Sequence, residues 1–121
     1  MKDNIKRTKE RIKDTGEIFT PTELVQKMLD KLDYDWENHD HTKTWLDPTC
    51  GNGQFLVELA RRGIKAKNIY GVDIMPDNVE ETKRRLLSIL GDDRETQYWV
   101  DRNIVVGNSL EFDFEGYWNE V

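Results

Sequence analysis

Hydrophobic and polar positions follow two different periods along the middle of this chain. Residues 45–47, 69–74 and 104–106 have apolar character and the length of buried strands, and turn-forming residues follow each of them. Between these runs, apolar residues recur at helical spacing in segments that begin near Gly53 and at Pro76. Alternating strands and helices favour parallel β-α-β units with right-handed crossovers, and therefore an α/β fold.

A further helix is predicted ahead of the first strand. Residues 20–23 (TPTE) have the form of a capping box with proline at the first helical position, and Phe19 precedes them as half of a hydrophobic staple. The predicted apolar face of this helix consists of Leu24, Val25, Met28, Leu29 and Leu32. Residues 33–44 are polar and acidic, which indicates a loop, and we interpret its His39 and His41 as surface residues.

The two helices between the strands have clear ends. One is predicted from about Gly53 to Gly63, and the other from Pro76 to Gly91. The second of them has acidic residues early and basic residues late, an order that suits the helix dipole. Six of the twelve residues 91–102 are charged, and we interpret this segment, which carries Tyr98 and Trp99, as a charged connection.

The charge of the chain is unevenly distributed. Its 121 residues are sufficient for one modest domain, and the formal net charge is −6. Residues 1–13 hold six basic and two acidic side chains, so the rest of the chain carries −10. An acidic body disfavours direct contact with DNA, whose binding relies on Lys and Arg at phosphates. We interpret the basic segment as a solvated arm, with contact to nucleic acid or to an acidic partner as the alternative.

Composition also bears on location. No apolar run approaches the length needed to cross a bilayer, and the first residues do not resemble a secretory signal. The single cysteine, Cys50, excludes an internal disulfide framework and favours a cytoplasmic location. Cys50 lies within a glycine-rich turn that requires a small residue, so we interpret it as a spacer and not as a nucleophile.

The strongest chemical signal is residues 46–56 (LDPTCGNGQFL), a strand end followed by a glycine-rich turn and the start of a helix. Gly51 and Gly53 permit a tight turn and the close approach of a ligand. The helix start offers unpaired N–H groups, and Asp47 adds a negative charge beside them. Such a site suits the carboxylate and the ammonium group of a methionine moiety. The alternatives are a turn shaped by glycine and a dinucleotide site, although the latter expects glycine where Leu56 stands.

Polar residues also follow the second and third predicted strands. Asp73 ends the second strand, 20 residues after Gly53, which is a distance at which an acid binds ribose hydroxyls. Asn108 follows the third strand and is able to accept from an adenine amine, while the N–H of Ser109 is able to meet a ring nitrogen. Ile74 is placed to pack on the adenine. The alternatives are a helix cap for Asp73 and a turn for Asn108.

Two motifs resemble those of a known family. Residues 47–56 (DPxxGxGxFL) resemble the cofactor loop of S-adenosylmethionine-dependent methyltransferases, most closely those that methylate the N6 amine of adenine in DNA. Residues 16–21 (GxxFTP) resemble the segment that precedes this loop in the same family. The resemblance implies a truncated Rossmann-like class I methyltransferase fold, with three parallel strands, flanking helices and an N-terminal helix.

The resemblance also implies how S-adenosylmethionine is bound. Phe19, Thr20 and Pro21 would cover the methionine end of the cofactor. Asp73 would bind the ribose, and Asn108 stands where the family usually has an aspartate against adenine. The implied cofactor-binding residues are Phe19, Thr20, Pro21, Asp47, Pro48, Cys50, Gly51, Gly53, Asp73, Ile74, Asn108 and Ser109.

One motif of the family is missing. Its chemistry uses an Asp/Asn/Ser-Pro-Pro-aromatic sequence after the fourth strand, and no two prolines are adjacent in this chain. Too few residues follow Leu110 for a fourth strand, so we expect the first strand to lie at a sheet edge. The aromatic residues within 112–118 are expected to fold over that edge or to dock on a partner. We therefore expect a homodimer, or a second chain that supplies the catalytic half and any contact with DNA.

These expectations divide the chain into a basic arm (1–15), an S-adenosylmethionine-binding domain (16–110) and an aromatic tail (111–121). Three functions remain open. The chain is a cofactor-binding subunit that is inactive alone, an enzyme that degrades S-adenosylmethionine, or a non-catalytic module that regulates a full methyltransferase. Cofactor binding separates the third from the others, and product formation without a partner separates the second from the first.

Overall fold

Helices and short strands alternate along the part of the protein that its computed structural model describes, residues 19–119. The basic arm and Gly16 lie outside these residues. In chain order the elements are α1 (Thr22–Asp30), β1 (Trp45–Asp47), α2 (Gln54–Arg61), a 3-10 turn (Ala66–Asn68), β2 (Ile69–Asp73), α3 (Pro76–Leu90), α4 (Arg94–Asn103), β3 (Ile104–Val106) and α5 (Phe114–Asn119).

The three strands form one parallel sheet in the order β1-β2-β3, which confirms the predicted α/β fold with three parallel strands. Trp45 lies opposite Ile69 in the first pair of strands, and Gly71 lies opposite Ile104 in the second. Because side chains alternate along a strand, these residues point to one face of the sheet. Within residues 19–119, β1 pairs only with β2, so its outer edge has no neighbouring strand.

The main core lies between one face of the sheet and helices α1 to α4. Leu56 of α2 is fully buried and approaches Gly71 of β2 so closely that a Cβ on this glycine would stand 2.6 Å from a Leu56 methyl group. The other buried apolar residues of this core are Val25, Leu29, Cys50, Val57, Leu59, Ala60, Ile64, Ile69, Val79, Leu86, Val100 and Ile104. Each fully buried aliphatic side chain contributes about 1.5–3 kcal/mol through removal of apolar surface from water.

The aromatic tail packs on the opposite face of the sheet. Trp118 of α5 is buried against Val72 and Val105, and its Nε1 donates to the carbonyl oxygen of Arg102 at 3.1 Å. Arg102 Nη2 donates in turn to the carbonyl oxygen of Trp118 at 2.7 Å. The expectation that the tail covers the β1 edge is therefore wrong, because its aromatic rings bury the apolar side chains of β2 and β3 instead.

A helix occupies most of residues 91–102, which we interpreted as a charged connection without predicting a helix there. Helix α4 begins after Asp93, whose side chain accepts from the backbone N–H of Thr96. Only Val100 and Asn103 of this helix are buried, so its apolar residues are too sparse to reveal a helical period. The capping aspartate is the signal that could have identified it.

The start of α1 also differs from the prediction. Pro21 occupies the N-cap position and no side chain caps the helix, so the predicted capping box is wrong. Of the predicted apolar face, only Val25 and Leu29 are buried. Leu24, Met28 and Leu32 remain exposed. The apolar face predicted from the sequence is therefore wider than the part of α1 that packs against the rest of the described residues.

The two histidines of the loop before β1 have different environments. His41 is exposed as predicted, but His39 is partly buried, which corrects its interpretation as a surface residue. The two ring nitrogens of His39 lie 2.9 Å from the hydroxyl of Tyr34 and 2.7 Å from the carbonyl oxygen of Arg62. His39 thereby connects the loop to the end of α2.

No helix within residues 19–119 has the length and apolar character needed to cross a bilayer.

The contact between α2 and β2 should dominate the stability of the domain. We expect Leu56→Ala to lower the free energy of unfolding by about 2–5 kcal/mol, because it leaves a cavity against β2. Leu110→Ala is the matched control, since Leu110 is 93% exposed and should change stability by less than about 0.5 kcal/mol. Urea unfolding followed by circular dichroism measures both, and equal losses in the two variants would contradict this placement of the core.

Candidate functional site

A cavity of about 350 Å³ opens at the carboxyl ends of β1 and β2. Open parallel sheets bind their ligands at this end. The lining residues come from the segment before α1, the two strand ends and the glycine-rich turn, and they are Phe19, Thr20, Asp47, Thr49, Cys50, Gly51, Asn52, Gln54, Phe55 and Asp73. The structure thus brings together Phe19, Thr20, Asp47, Cys50, Gly51 and Asp73, all predicted from the sequence to bind one ligand.

The turn between β1 and α2 requires its glycines. Gly51 and Gly53 have φ angles of +55° and +89°, a left-handed conformation that other residues rarely adopt. Space is also short, because a Cβ on Gly51 would lie 3.2 Å from the ring of Phe19. A Cβ on Gly53 would lie 2.8 Å from the methyl group of Thr82 in α3. The turn is therefore packed between the wall of the cavity and α3.

Hydrogen bonds fix the turn to β2 and α3. The backbone N–H of Cys50 donates to the carbonyl oxygen of Val72 at 2.8 Å. The N–H of Gly51 donates to Asp73 Oδ2 at 2.9 Å, and Thr82 Oγ1 donates to the carbonyl oxygen of Gly51 at 3.1 Å. These contacts hold the turn in one position before any ligand arrives, which lowers the entropic cost of binding.

Asp73 is buried and has structural contacts at both oxygens. Oδ1 accepts from the backbone N–H of Met75 at 2.9 Å and from the side-chain amide of Asn78 at 3.2 Å. The helix cap that we considered as an alternative is not formed, because Met75 occupies the N-cap position of α3 and no side chain caps this helix. The contact of Asp73 with Met75 instead supports the residue at which the helix begins. It does not exclude ligand binding, because Oδ2 accepts from Gly51 and a carboxylate oxygen has capacity for a second donor.

The cavity is electrostatically suited to a cation. Burial raises the pKa of Asp47, the backbone N–H of Thr49 lowers it, and the neighbouring charge of Asp73 raises it further. Within residues 19–119, no Lys or Arg forms an ion pair with either aspartate. A bound ammonium or sulfonium group would relieve this repulsion, so the acidic residues present fit the cationic part of a methionine-derived cofactor.

Cys50 has the properties of a spacer. Its thiol is buried, and burial together with the charges of Asp73 and Asp47 raises its pKa to about 12. A thiol with this pKa is almost entirely protonated at neutral pH and is a poor nucleophile. This agrees with the interpretation from the sequence.

The remaining predicted residues do not line the cavity. Pro21 and Pro48 are exposed, Gly53 lies beneath the turn, and Ile74 is 60% exposed beyond the end of β2. Ser109 is partly buried in the turn after β3. Their roles toward a ligand stay predictions.

Asn108 is occupied in part by its own turn. Its Oδ1 accepts from the N–H of Leu110 at 3.0 Å, and its carbonyl oxygen accepts from the N–H of Glu111 at 2.9 Å. The alternative interpretation as a turn residue therefore describes its local contacts. The side chain is exposed and retains its amide N–H groups and a second lone pair, so adenine contact stays a prediction.

Sequence reasoning missed a polar stripe that supports the site. Asn78, Thr82 and Arg85 recur at helical spacing along α3, and the first two are fully buried. Asn78 contacts Asp73, whereas Thr82 and Arg85 contact the turn. Polar residues at core spacing on an otherwise amphipathic helix are a signal that could have identified this support.

The sequence profile of the family described as N-6 DNA methylase matches residues 5–110. This range includes the glycine-rich turn and all three strands. The chain belongs to the N-6 DNA methylase family. The resemblance noted from residues 16–21 and 47–56 is thereby confirmed.

Curated relatives of this methylase family member are much longer than the chain. It is 38% identical over 76 residues to "Type II methyltransferase M.VspI" of Vibrio sp. (strain 343), a match that covers 63% of this chain and 18% of the relative. It is 30% identical over 91 residues to "Type II methyltransferase M.NspV" of Nostoc sp., covering 75% and 18%. It is 30% identical over 99 residues to "Type I restriction enzyme MjaVII methylase subunit" of Methanocaldococcus jannaschii, covering 79% and 15%. No solved structure matches the chain.

The raised pKa of Asp47 predicts a pH-dependent effect on stability. A carboxyl group whose pKa is higher in the folded state destabilises the fold increasingly as pH rises through that pKa. We expect Asp47→Asn to be more stable than the wild type at pH 7, and the difference to vanish as pH falls below the ordinary pKa of 3.8. Thermal unfolding of the full chain between pH 3 and pH 7 measures it.

Asp35→Asn is the matched control for this experiment. Hydrogen bonds from the side chain and backbone of Asn38 lower the pKa of the exposed Asp35, so its loss should have the opposite sign. We expect the Asp35 variant to be slightly less stable than the wild type at pH 7. A destabilised Asp47→Asn variant at neutral pH would contradict the electrostatic description of the cavity.

Proposed function

We propose that this chain is the S-adenosylmethionine-binding part of an adenine-specific DNA methyltransferase. The observation that supports this most strongly is the acidic cavity at the glycine-rich turn, formed by Asp47, Gly51 and Asp73 in a member of the N-6 DNA methylase family. When bound, the cofactor supplies a methyl group on a sulfonium, which is already activated for transfer to an amine nitrogen. The residues of this chain bind and orient the cofactor.

The methionine end of the cofactor would occupy the cavity. Asp47 would pair with its ammonium group, and the start of α2 beside Gly53 would favour its carboxylate. Phe19 and Thr20 form the opposite wall and would exclude water from this end. Pro48 and Cys50 shape the turn, and Pro21 begins α1 directly after the wall.

The nucleoside end would extend along the carboxyl edge of the sheet. Asp73 would accept from the ribose hydroxyls through Oδ2, whose single protein donor is the N–H of Gly51 among the described residues. Ile74, Asn108 and Ser109 lie farther along this edge and would contact the adenine. The exposure of Ile74 in the free chain is consistent with a ligand-facing position.

Methyl transfer to adenine would require a catalytic half outside these 121 residues, and we propose that a second chain supplies it. The 121 residues contain no Pro-Pro-aromatic sequence, and the matched relatives carry more than four fifths of their length outside the matched segment. This chain would then contribute no catalytic residue. DNA would be reached through the partner, in keeping with the acidic body of this chain.

The outer edge of β1 is the proposed docking surface for that second chain. Leu46 is 45% exposed and borders two cavities, of about 270 Å³ beside α1 and α2 and about 310 Å³ beside α5. Successive side chains of a strand point to opposite faces of the sheet. A strand added to β1 would therefore place its side chains alternately in one cavity and in the other. The half-exposed Leu32, which follows α1, borders the first of these cavities and adds to its apolar lining.

Cofactor binding tests the assignment of Asp73. We expect Asp73→Ala to weaken binding of S-adenosylmethionine at least about tenfold, since each charge-assisted hydrogen bond contributes about 1.5–3 kcal/mol. The exposed Asp33→Ala is the control and should bind as the wild type does. Calorimetry measures affinity, and thermal unfolding verifies that both variants are folded.

An analogue without ribose hydroxyls separates direct contact from support of the turn. The wild type should bind the analogue more weakly than the cofactor, and Asp73→Ala should bind both alike. An Asp73 variant that keeps the preference for the hydroxylated ligand would contradict the ribose contact. A wild type that binds no S-adenosylmethionine would instead favour the non-catalytic interaction module.

Association through β1 is tested with Leu46→Lys. A lysine on β1 that is buried by an added strand is costly, so we expect this variant to sediment as a monomer while the wild type shows concentration-dependent association or binds its partner. Leu110→Lys introduces the same charge at the exposed Leu110 and should behave like the wild type. Two results would contradict the proposal: a wild-type monomer with outer β1 amides protected from exchange, and methylation of adenine in DNA by the purified chain alone.

A further inference from the structure

A polar bridge links α3, the glycine-rich turn and the wall of the cavity. Arg85 Nη1 donates to the carbonyl oxygen of Asn52 at 3.0 Å and to Gln54 Oε1 at 2.9 Å. Gln54 Nε2 donates to the carbonyl oxygen of Thr20 at 2.9 Å and to Thr22 Oγ1 at 3.1 Å. The bridge thus crosses from one side of the turn to the other.

The hydrogen bonds of the bridge allow only one orientation of the Gln54 side-chain amide. Arginine is a donor without acceptor capacity, so it selects the oxygen of the Gln54 amide and turns its nitrogen toward Thr20. The carbonyl oxygen of Thr20 needs a donor, which the nitrogen of this amide provides. Loss of Arg85 would therefore free Gln54 and, through it, the Phe19-Thr20 wall.

Arg85 is an unusual cation. It is partly buried, and no carboxylate lies within ion-pair distance of it among residues 19–119, so its hydrogen bonds go to neutral oxygens. Burial and the charge of Arg61 lower its pKa, and the charge of Glu81 offsets part of this effect. The adjacent Arg84 is exposed and is paired with Glu81 in the ordinary manner of a surface residue. A partly buried, unpaired cation costs stability, which calls for a function beyond packing.

We propose that Arg85 and Gln54 are positioning residues that fix the Phe19-Thr20 wall against the glycine-rich turn and so set the shape of the cofactor cavity. This inference rests on the proposed binding of S-adenosylmethionine. The two residues act in series: Arg85 orients Gln54, and Gln54 holds the wall. Neither residue is required to react with the cofactor.

Affinity measurements on the full chain test whether Arg85 acts on the wall through Gln54. Arg85→Met and Gln54→Met should each weaken binding of S-adenosylmethionine about tenfold, and the double variant should lose no more than about the larger single effect. Arg85→Lys keeps the charge and a donor and should recover part of the loss. Arg84→Met is the matched control on the same helix and should bind like the wild type. Effects that multiply to about a hundredfold would overturn the series.

Hydrogen exchange of the ligand-free chain provides a readout that does not depend on the cofactor. The amides of Phe19, Thr20 and Thr22, and those of Leu24 and Val25 that donate to the carbonyl oxygen of Pro21, should exchange faster in Arg85→Met and Gln54→Met than in Arg84→Met, with melting temperatures recorded for each. If Arg85→Met does not fold, Gln54→Met alone decides the result. If the wild type binds no cofactor, the proposed function fails, and exchange still tests the bridge. Unchanged exchange in both variants would overturn the inference.

Discussion

The rest of the site depends on the hydrogen bonds that the carboxylate of Asp73 accepts. It accepts from the backbone of the glycine-rich turn, from the backbone just before α3 and from the buried amide of Asn78. One side chain at the end of β2 therefore joins the turn, the sheet and a helix. Because these donors are satisfied by a charged acceptor inside the protein, the turn is held in its left-handed conformation without a ligand. The left-handed Gly51 makes the close approach of Phe19 possible, and with it the cavity.

The two faces of the sheet are covered unequally. Helices α1 to α4 bury one face, whereas the described part of the other is covered by α5 and the aromatic residues around it. Trp118 and Arg102 fasten α5 by reciprocal hydrogen bonds, which stabilise this thin layer. The cofactor cavity lies at the ends of the strands, away from this layer. The proposed partner surface at β1 and the proposed cofactor site are therefore separate parts of the fold. They meet at Asp47, which lines both the cofactor cavity and the cavity beside α1 and α2.

The sequence predicted the elements that carry strong local signals. Strands at Trp45, Ile69 and Ile104 and the helix ends at Gly53 and Gly91 follow from apolar period and glycine chemistry. Helix α4 was missed because tertiary burial of two residues, not periodicity, stabilises it. The cavity was predicted in outline, since motif residues at successive strand ends must meet. The polar support from Thr82, Arg85 and Gln54 was not predicted, because the spacing of polar residues along α3 marks a stripe without showing that it contacts the turn.

The charges around the cavity are costly in the free chain, and the proposed ligand gives a reason for their placement. Asp47 and Asp73 repel one another in the cavity, and Arg85 behind the turn forms no ion pair with a carboxylate among residues 19–119. In the proposed complex, an ammonium group would neutralise the acidic side and a carboxylate would lie on the side of the helix start and the guanidinium. A zwitterion therefore complements both ends of this charge separation, whereas a simple cation or anion would satisfy one end and be repelled by the other. The arrangement thus favours an amino-acid-like ligand over either charge alone.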